Sequence, residues 1–225
     1  MASSALYVVY QMNLEKNMKI GIMGGTFDPI HNGHLTIAEY AYRLYQLDEV
    51  WFLPNGNPPH KHTPEILKNV QDRLAMTSLA IEDVPYFKLN TYETDKTTMS
   101  FSYQTIAHFC EKYPEHHFYF ILGADSLFSI ESWVHPELII GKITILAAYR
   151  DDMDTPEEMN QQIAYLNQKY GGDIRLLKTP LVLVSSHEIR QAIAEGAEMN
   201  TLPVPKKVAD YIFTHNLYKK NTQNR

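Results

Sequence analysis

The chain has 225 residues, of which 44% are hydrophobic and 20% charged, ordinary globular usage that excludes a disordered, collagen-like or fibrous polypeptide. Its formal net charge of −6 argues against a protein that holds nucleic acid through a general basic surface, while leaving room for a local cationic cluster that binds a small anion. The single cysteine, Cys110, allows no intrachain disulfide and no cysteine-based zinc site, which fits a reducing compartment.

No apolar run approaches the roughly 18–20 residues that cross a bilayer, so no membrane association is expected. The N-terminal stretch MASSALYVVYQMNLEKN lacks the leading positive charge and cleavage site of a signal peptide, and the expected setting is cytoplasmic. Residues 1–17 read as an N-terminal extension compatible with disorder. The domain is expected over 18–220, opening with a buried strand in MKIGIMGG. From there short apolar runs alternate with stretches of helical period, the pattern of successive βα units around a parallel sheet. Strands are predicted over 19–23, 50–53, 86–89, 117–122, 143–148 and 174–177. Helices are predicted over 35–47, 66–81, 102–112, 155–170, 188–195 and 206–214. In the first helix Leu35, Ala38, Tyr42 and Tyr45 recur on one face. With no repeat, low-complexity tract or long linker, the expected fold is α/β: a doubly wound, Rossmann-like parallel sheet with helices on both faces. Ligands of such sheets sit at the carboxyl ends of the strands.

The first strand runs into GGTFDPIHNGHL, which is neither the G-x-G-x-x-G fingerprint nor a P-loop. Gly24 and Gly25 let backbone approach a ligand closely, and His31 and His34 stand at the mouth of a helix whose unpaired N–H groups make a ready anion site. Imidazoles there can donate to phosphate oxygens or carry charge as a phosphate becomes more negative. Two plainer readings compete. A metal pair would have Asp28 as its only nearby carboxylate and no third histidine at a usual spacing; otherwise both rings are capping or core residues.

Later segments add candidates. The proline-rich loop from Pro54 to Lys61 sets His60 and Lys61 at the carboxyl edge of the sheet, as phosphate contacts or as an ordinary turn. Arg73 is either a further cation for the site or part of a solvated helix face. The run from Ile121 to Ser126 ends a strand with Gly123, which permits close approach, and Asp125, which can accept from ribose hydroxyls or cap a helix. Trp133 follows, as an indole that stacks on a ring or as core. In VSSHEIR, Ser185 or Ser186 is a natural N-cap. Arg190, one turn in, can return to that terminus as a fork-shaped phosphate donor or lie in solvent.

The loop GGTFDPIHNGHL resembles the (H/T)-x-G-H signature of the nucleotidylyltransferase superfamily, in the version carried by bacterial nicotinate mononucleotide adenylyltransferases. VSSHEIR is similar to the superfamily motif I-S-S-T-x-I-R, with His187 in place of threonine, and PNGNPPHK is similar to P-x-x-x-P-P-H-K. Gly123, Asp125 and Trp133 resemble the G-x-D and following tryptophan of the same family. SFSYQTI looks like S-Y-T-x-x-T-L, with Phe101 for tyrosine and Ser102 for threonine. The likeness runs from about Met18 to Tyr218.

What the resemblance implies is an enzyme, a nucleotidyltransferase that moves AMP from ATP to nicotinate mononucleotide, forming deamido-NAD and pyrophosphate in NAD biosynthesis. It implies His31, His34 and Arg190 as catalytic residues. ATP would meet Gly24, Gly25, Thr26, Phe27, Gly123, Asp125, Ser185, Ser186 and Ile189. The mononucleotide would meet His60, Lys61, Ser102, Trp133 and Val134, with the Ser102 and Val134 backbone N–H groups on the nicotinate carboxylate. Mg²⁺ is expected with ATP, with no metal site of the protein's own; a homo-oligomer is compatible with this reading. An adenylyltransferase for nicotinamide mononucleotide or another phosphorylated acceptor, and a non-catalytic nucleotide-binding protein, stay open at this point.

Overall fold

All six predicted strands are present and join one parallel sheet in a computed structural model that describes residues 17–57, 69–96, 98–149, 155–180 and 183–219. They are β1 (Lys19–Gly25), β2 (Glu49–Pro54), β3 (Phe87–Leu89), β4 (His117–Gly123), β5 (Thr144–Ala148) and β6 (Asp173–Leu177), in the order β3-β2-β1-β4-β5-β6. The chain winds outward from β1 to β3, then returns to the other side of β1 and winds outward again. This places a switch point between β1 and β4, where neighbouring connections diverge and leave a crevice at the carboxyl ends. The doubly wound expectation is met.

Strand pleating decides which residues face which helical layer. Ile22, Leu53 and Phe120 point into one core, shared with Ile106 and Phe109 of α3 (Ser102–Lys112), Leu127 of α4 (Ala124–Ser129), Ile139 of α5 (Glu137–Ile140) and Ile163 of α6 (Pro156–Tyr170). Their chain neighbours Met23, Phe52 and Ile121 point the other way. There they meet Ala38 and Ala41 of α1 (Asn32–Tyr45), Met76 of α2 (Val70–Ile81), Ile189 of α7 (Ser186–Ala194) and Val208 and Ile212 of α8 (Lys206–Thr214). The register Ile22↔Trp51, Ile22↔Phe120 keeps these layers aligned across the central strands.

Helix limits depart from the predicted ones where the signal is not apolar. α1 starts at Asn32 rather than at residue 35, because its first turn is Asn32, Gly33 and His34, which show no hydrophobic period. It stops at Tyr45, with Gln46 in the left-handed region at φ 51° and its N–H bonded to the Tyr42 carbonyl. α4 and α5, 6 and 4 residues long, were not predicted, being too short to display a 3.6-residue period. The predicted start of the second helix at 66–68, together with residues 1–16, lies outside the described residues. Among the described residues no helix is long and apolar enough to cross a membrane.

α6 shows how fully a helix can be specified locally. Thr155 caps it by accepting from the Glu158 N–H at 3.2 Å while the Glu158 carboxylate accepts from the Thr155 N–H at 2.8 Å, Pro156 opens the first turn and Gly171 closes the last at φ 64°. Replacing Thr155 by Ala is expected to cost about 1 kcal/mol. This would be read as a lower urea midpoint at constant slope; an unmoved midpoint would mean that the box contributes nothing.

Candidate active site

At the switch point lies a cavity of about 550 Å³. Gly24, Gly25 and Thr26 at the end of β1 line it together with Asn55 after β2, Asp125 of α4, Ser102 and Thr105 of α3, Trp133 and Val134. Seven sequence-predicted positions therefore meet in one space: Gly24, Gly25, Thr26, Ser102, Asp125, Trp133 and Val134. His60 and Lys61 lie outside the described residues.

The loop after β1 is shaped by a buried aromatic ring. Phe27 is 2% exposed and sits in the left-handed region at φ 51°, a conformation that costs a bulky residue on the order of 1–3 kcal/mol and persists only when its surroundings impose it. Its ring packs against Phe52 and edge-on against His34, with centroids 5.9 and 5.0 Å apart. Gly25 is required by that packing, since a Cβ there would lie 2.7 Å from the Phe27 ring. His31 is the buried N-cap of α1, and its ring stacks on that of the half-buried His34 with centroids 3.7 Å apart. The His31 backbone N–H donates to His34 Nδ1 at 3.3 Å. A nitrogen that accepts cannot carry the proton, so neutral His34 holds it on Nε2.

Arg73 takes neither of its predicted roles. It is fully buried, not on a solvated face, and it grips the loop through backbone rather than presenting a charge to a phosphate. Its guanidinium donates to the Thr26 carbonyl at 2.7 Å, the Asn55 carbonyl at 2.8 Å and Asn69 Oδ1 at 3.1 Å, so one α2 side chain ties the β1 and β2 loops together. Burial pushes its pKa down, with the Asp28 carboxylate and Tyr218 opposing. Asp28 Oδ1 accepts from Asn69 Nδ2 at 2.9 Å and from the Tyr218 hydroxyl at 2.6 Å. Burial, and next the charge of Asp28, push the Tyr218 hydroxyl well above the ordinary tyrosine value.

α7 grips the same loop from the other side. Arg190 donates to the Asp28 carbonyl at 2.7 Å and the Ser186 hydroxyl to the Pro29 carbonyl at 2.9 Å. Ser185 is the N-cap, accepting from the Glu188 N–H at 3.1 Å, while His187 is exposed and Ile189 belongs to the core. What Phe27 and Ile189 offer a ligand is therefore backbone. Gly123, not Asp125, caps α4, and a side chain at Gly123 would meet nothing within 4 Å. Asp125 is exposed in the first turn, and Trp133 is half-buried, edge-on to Phe120 with centroids 6.3 Å apart.

Sequence reasoning missed four residues: Asp28 as an anchor, Asn69, Tyr218 and Glu93. Glu93, 6% exposed, lines the cavity and accepts from Thr105 Oγ1 at 2.8 Å. Burial pushes its carboxyl up, opposed by that hydroxyl, by Lys96 and by the Gly56 N–H. Gly56 is glycine because a side chain there would run into the Glu93 carbonyl. A Glu following a short strand gives no sequence signal of burial.

Replacing Arg73 by Met removes the donor that it supplies to the half-buried Thr26 and Asn55 carbonyls. The expected loss is about 2–6 kcal/mol, 1–3 for each carbonyl, with Arg73→Lys recovering part of it. Denaturant unfolding within 1 kcal/mol of wild type for the Met variant would mean that the loop is held by other means.

Comparison with known proteins agrees with this geometry. Residues 22–192 match the cytidylyltransferase-like family. A protein of Lachnoclostridium phytofermentans named "Probable nicotinate-nucleotide adenylyltransferase" is 41% identical over 200 residues, covering 89% of this chain and 98% of that one. A protein of the same name from Caldicellulosiruptor bescii is 36% identical over 208 residues, covering 90% and 100%. The nicotinic acid mononucleotide adenylyltransferase of Plasmodium falciparum, solved in complex with NaAD, superposes with a TM-score of 0.76 at 22% identity over 92% of this chain and all of that one, and so shares its fold. With a family match over most of its length and relatives of this identity covered almost end to end, the chain belongs to the cytidylyltransferase-like family, among its nicotinate-nucleotide adenylyltransferases.

Proposed function

We propose that this protein transfers AMP from ATP to nicotinate mononucleotide, releasing pyrophosphate and forming deamido-NAD for NAD biosynthesis. The observation that carries the reading is that a single cavity joins the Gly24–Thr26 turn to the start of α3 and Trp133, so that phosphates and a flat ring can be held in one space. The names of the relatives support it.

In this reading an oxygen of the mononucleotide phosphate attacks the α-phosphorus of ATP in line. The bond from that phosphorus to the α–β bridging oxygen breaks, and pyrophosphate departs with the electron pair. The nucleophile is already anionic near neutral pH, its second pKa being about 6, so no general base is needed. The protein's task is to hold two anions that repel each other and to stabilise charge on the transferring group. His34 is the donor toward the α-phosphate through Nε2–H, with His31 stacked behind it. Arg190 and the N-terminal turn of α7 at Ser185 and Ser186 take the leaving pyrophosphate, and Lys61 with His60 takes the acceptor phosphate. Gly24, Gly25, Thr26 and the backbone of Phe27 and Ile189 receive ATP, whose ribose hydroxyls Asp125 accepts beside Gly123. Trp133 stacks on the pyridine ring, and the Ser102 and Val134 N–H groups bind its carboxylate. A carboxylate can only accept, which suits two backbone donors better than an amide does.

Among the described residues no group of three or more His, Cys, Asp and Glu could hold a metal ion. In this reading magnesium is part of the substrate, held by phosphate oxygens and water, where it neutralises charge on the triphosphate.

Pyrophosphate release with MgATP is expected with nicotinate mononucleotide, and far less with nicotinamide mononucleotide or phosphopantetheine. Release with another acceptor alone would move the reaction to a different product, and none with any would leave a binding protein. His34→Ala is expected to lower turnover on the order of 10²–10³-fold; near wild-type turnover would remove its role. Trp133→Ala is expected to raise the KM for the mononucleotide far more than that for ATP, whereas equal changes would make the indole structural.

A further inference from the structure

We infer that Glu93 is a specificity-determining residue of this reaction: its carboxylate supplies the counter-charge for the cationic pyridinium ring of the acceptor, and favours that ring over a neutral one of the same shape. The inference rests on the reading above. The ring nitrogen of nicotinate mononucleotide is bonded to ribose and carries a permanent positive charge. Reduction to the dihydropyridine removes that charge while leaving the carboxylate, ribose and phosphate in place.

The α3 end of the cavity suits such a ring. Among the described residues that line it there is no Lys, Arg or His, and the charged ones are Glu93 and Asp125. Glu93 shares the α3 end with Ser102 and Thr105, in the cavity that Trp133 also lines, and an indole face favours a cation as well as a flat ring. The carboxylate is held in place. Its backbone is pressed against Gly56, its carbonyl accepts from Ser100 Oγ at 3.5 Å, and its side chain is fixed by Thr105 Oγ1 at 2.8 Å.

The charge itself needs a reason. A Gln would accept from the Thr105 hydroxyl and the Gly56 N–H through its amide oxygen, with no ionised group to bury. A buried carboxylate is costly unless something positive answers it. Lys96 favours the ionised form of Glu93, but its ammonium is placed over the Tyr92 ring, 3.6 Å from the centroid. A pyridinium entering beside Trp133 answers the charge. The nicotinate carboxylate, meanwhile, is left to the amides at the start of α3, so the two poles of the acceptor meet opposite partners.

The test compares wild type and Glu93→Gln with nicotinate mononucleotide and with its 1,4-dihydro form, reading KM for each and for ATP. Wild type is expected to prefer the oxidised acceptor by about tenfold or more, and Glu93→Gln to raise its KM by about 10- to 100-fold. The KM values for the dihydro acceptor and for ATP should stay within about twofold, because neither presents a ring charge to residue 93. Equal weakening toward both acceptors would make Glu93 structural, and no change would remove it from the site; either result overturns the inference while wild-type turnover keeps the reaction. Should the variant fail to fold, the wild-type ratio decides, since equal KM values for the two acceptors overturn the inference without any variant. Failure of wild type to use nicotinate mononucleotide at all would overturn the reaction and the inference together.

Discussion

In the proposed reading the loop after β1 receives a triphosphate, and such a loop must turn its own carbonyl oxygens away from the ligand and hold them there. In this protein three side chains do so. Arg73 draws back the Thr26 carbonyl, Arg190 that of Asp28 and Ser186 that of Pro29. Each comes from a helix that packs on the same face of the sheet, α2 or α7, so the loop acquires its shape only once both helices have docked. Arg73 also binds the Asn55 carbonyl, which gives the loops after β1 and β2 one common anchor. An arginine buried for this purpose offsets part of its desolvation through hydrogen bonds to backbone. Arginine suits the position because its planar fork reaches several acceptors at once, whereas a lysine offers a single point.

The sheet supplies the rest of the arrangement. Because the connections that leave β1 and β4 diverge at the carboxyl ends of the strands, the turn that ends β1 and the short helix that follows β4 face each other across the crevice. In the proposed reading phosphate-binding groups gather on the β1 side and ring-binding groups on the α3 side, with the reacting phosphorus between them. This division also explains how a chain of net charge −6 can accept two anionic substrates. In that reading attraction at short range by N–H groups, imidazole and a guanidinium fork outweighs a diffuse negative surface, which salt screens beyond roughly 8–10 Å.

The fold was legible because its information is local and repeated. A buried strand of five to seven residues shows as an apolar run, and α6 declared itself through Thr155, Pro156, Glu158 and Gly171. α4 and α5 were too short for any period to appear, and the polar first turn of α1 hid its start. The site was legible in part, through motifs whose residue types already suggest phosphate chemistry. What could not be read was the fate of an ordinary charged residue. Arg73 stands in a sequence that suits an exposed helix face, and only the arrival of the β1 and β2 loops above it makes it the largest fully buried side chain among the described residues. Glu93 is equally silent, since its burial depends on Gly56 and Thr105, which are 37 and 12 residues away in the chain.

Asp28 shows how the loop tolerates a carboxylate beside an anion site. Both described hydrogen bonds to its side chain fall on Oδ1, from Asn69 and from Tyr218, 190 residues further along. Tyr218 follows α8, which is itself fixed to α2 by the Tyr211 hydroxyl on Asp72 at 2.9 Å. The negative charge is thereby directed toward the protein, within the field of the buried Arg73 guanidinium, and the face of the loop toward the cavity is left to backbone. A neutral residue at position 28 could keep the loop free of charge, but it would deprive Arg73 of a carboxylate that favours its charged form. The carboxylate held by Asn69 and Tyr218 therefore also favours the charged form of the buried arginine. It is this coupling, between a cation that shapes the backbone and an anion turned away from the ligand, that ties the C-terminal segment to the chemistry at the end of β1.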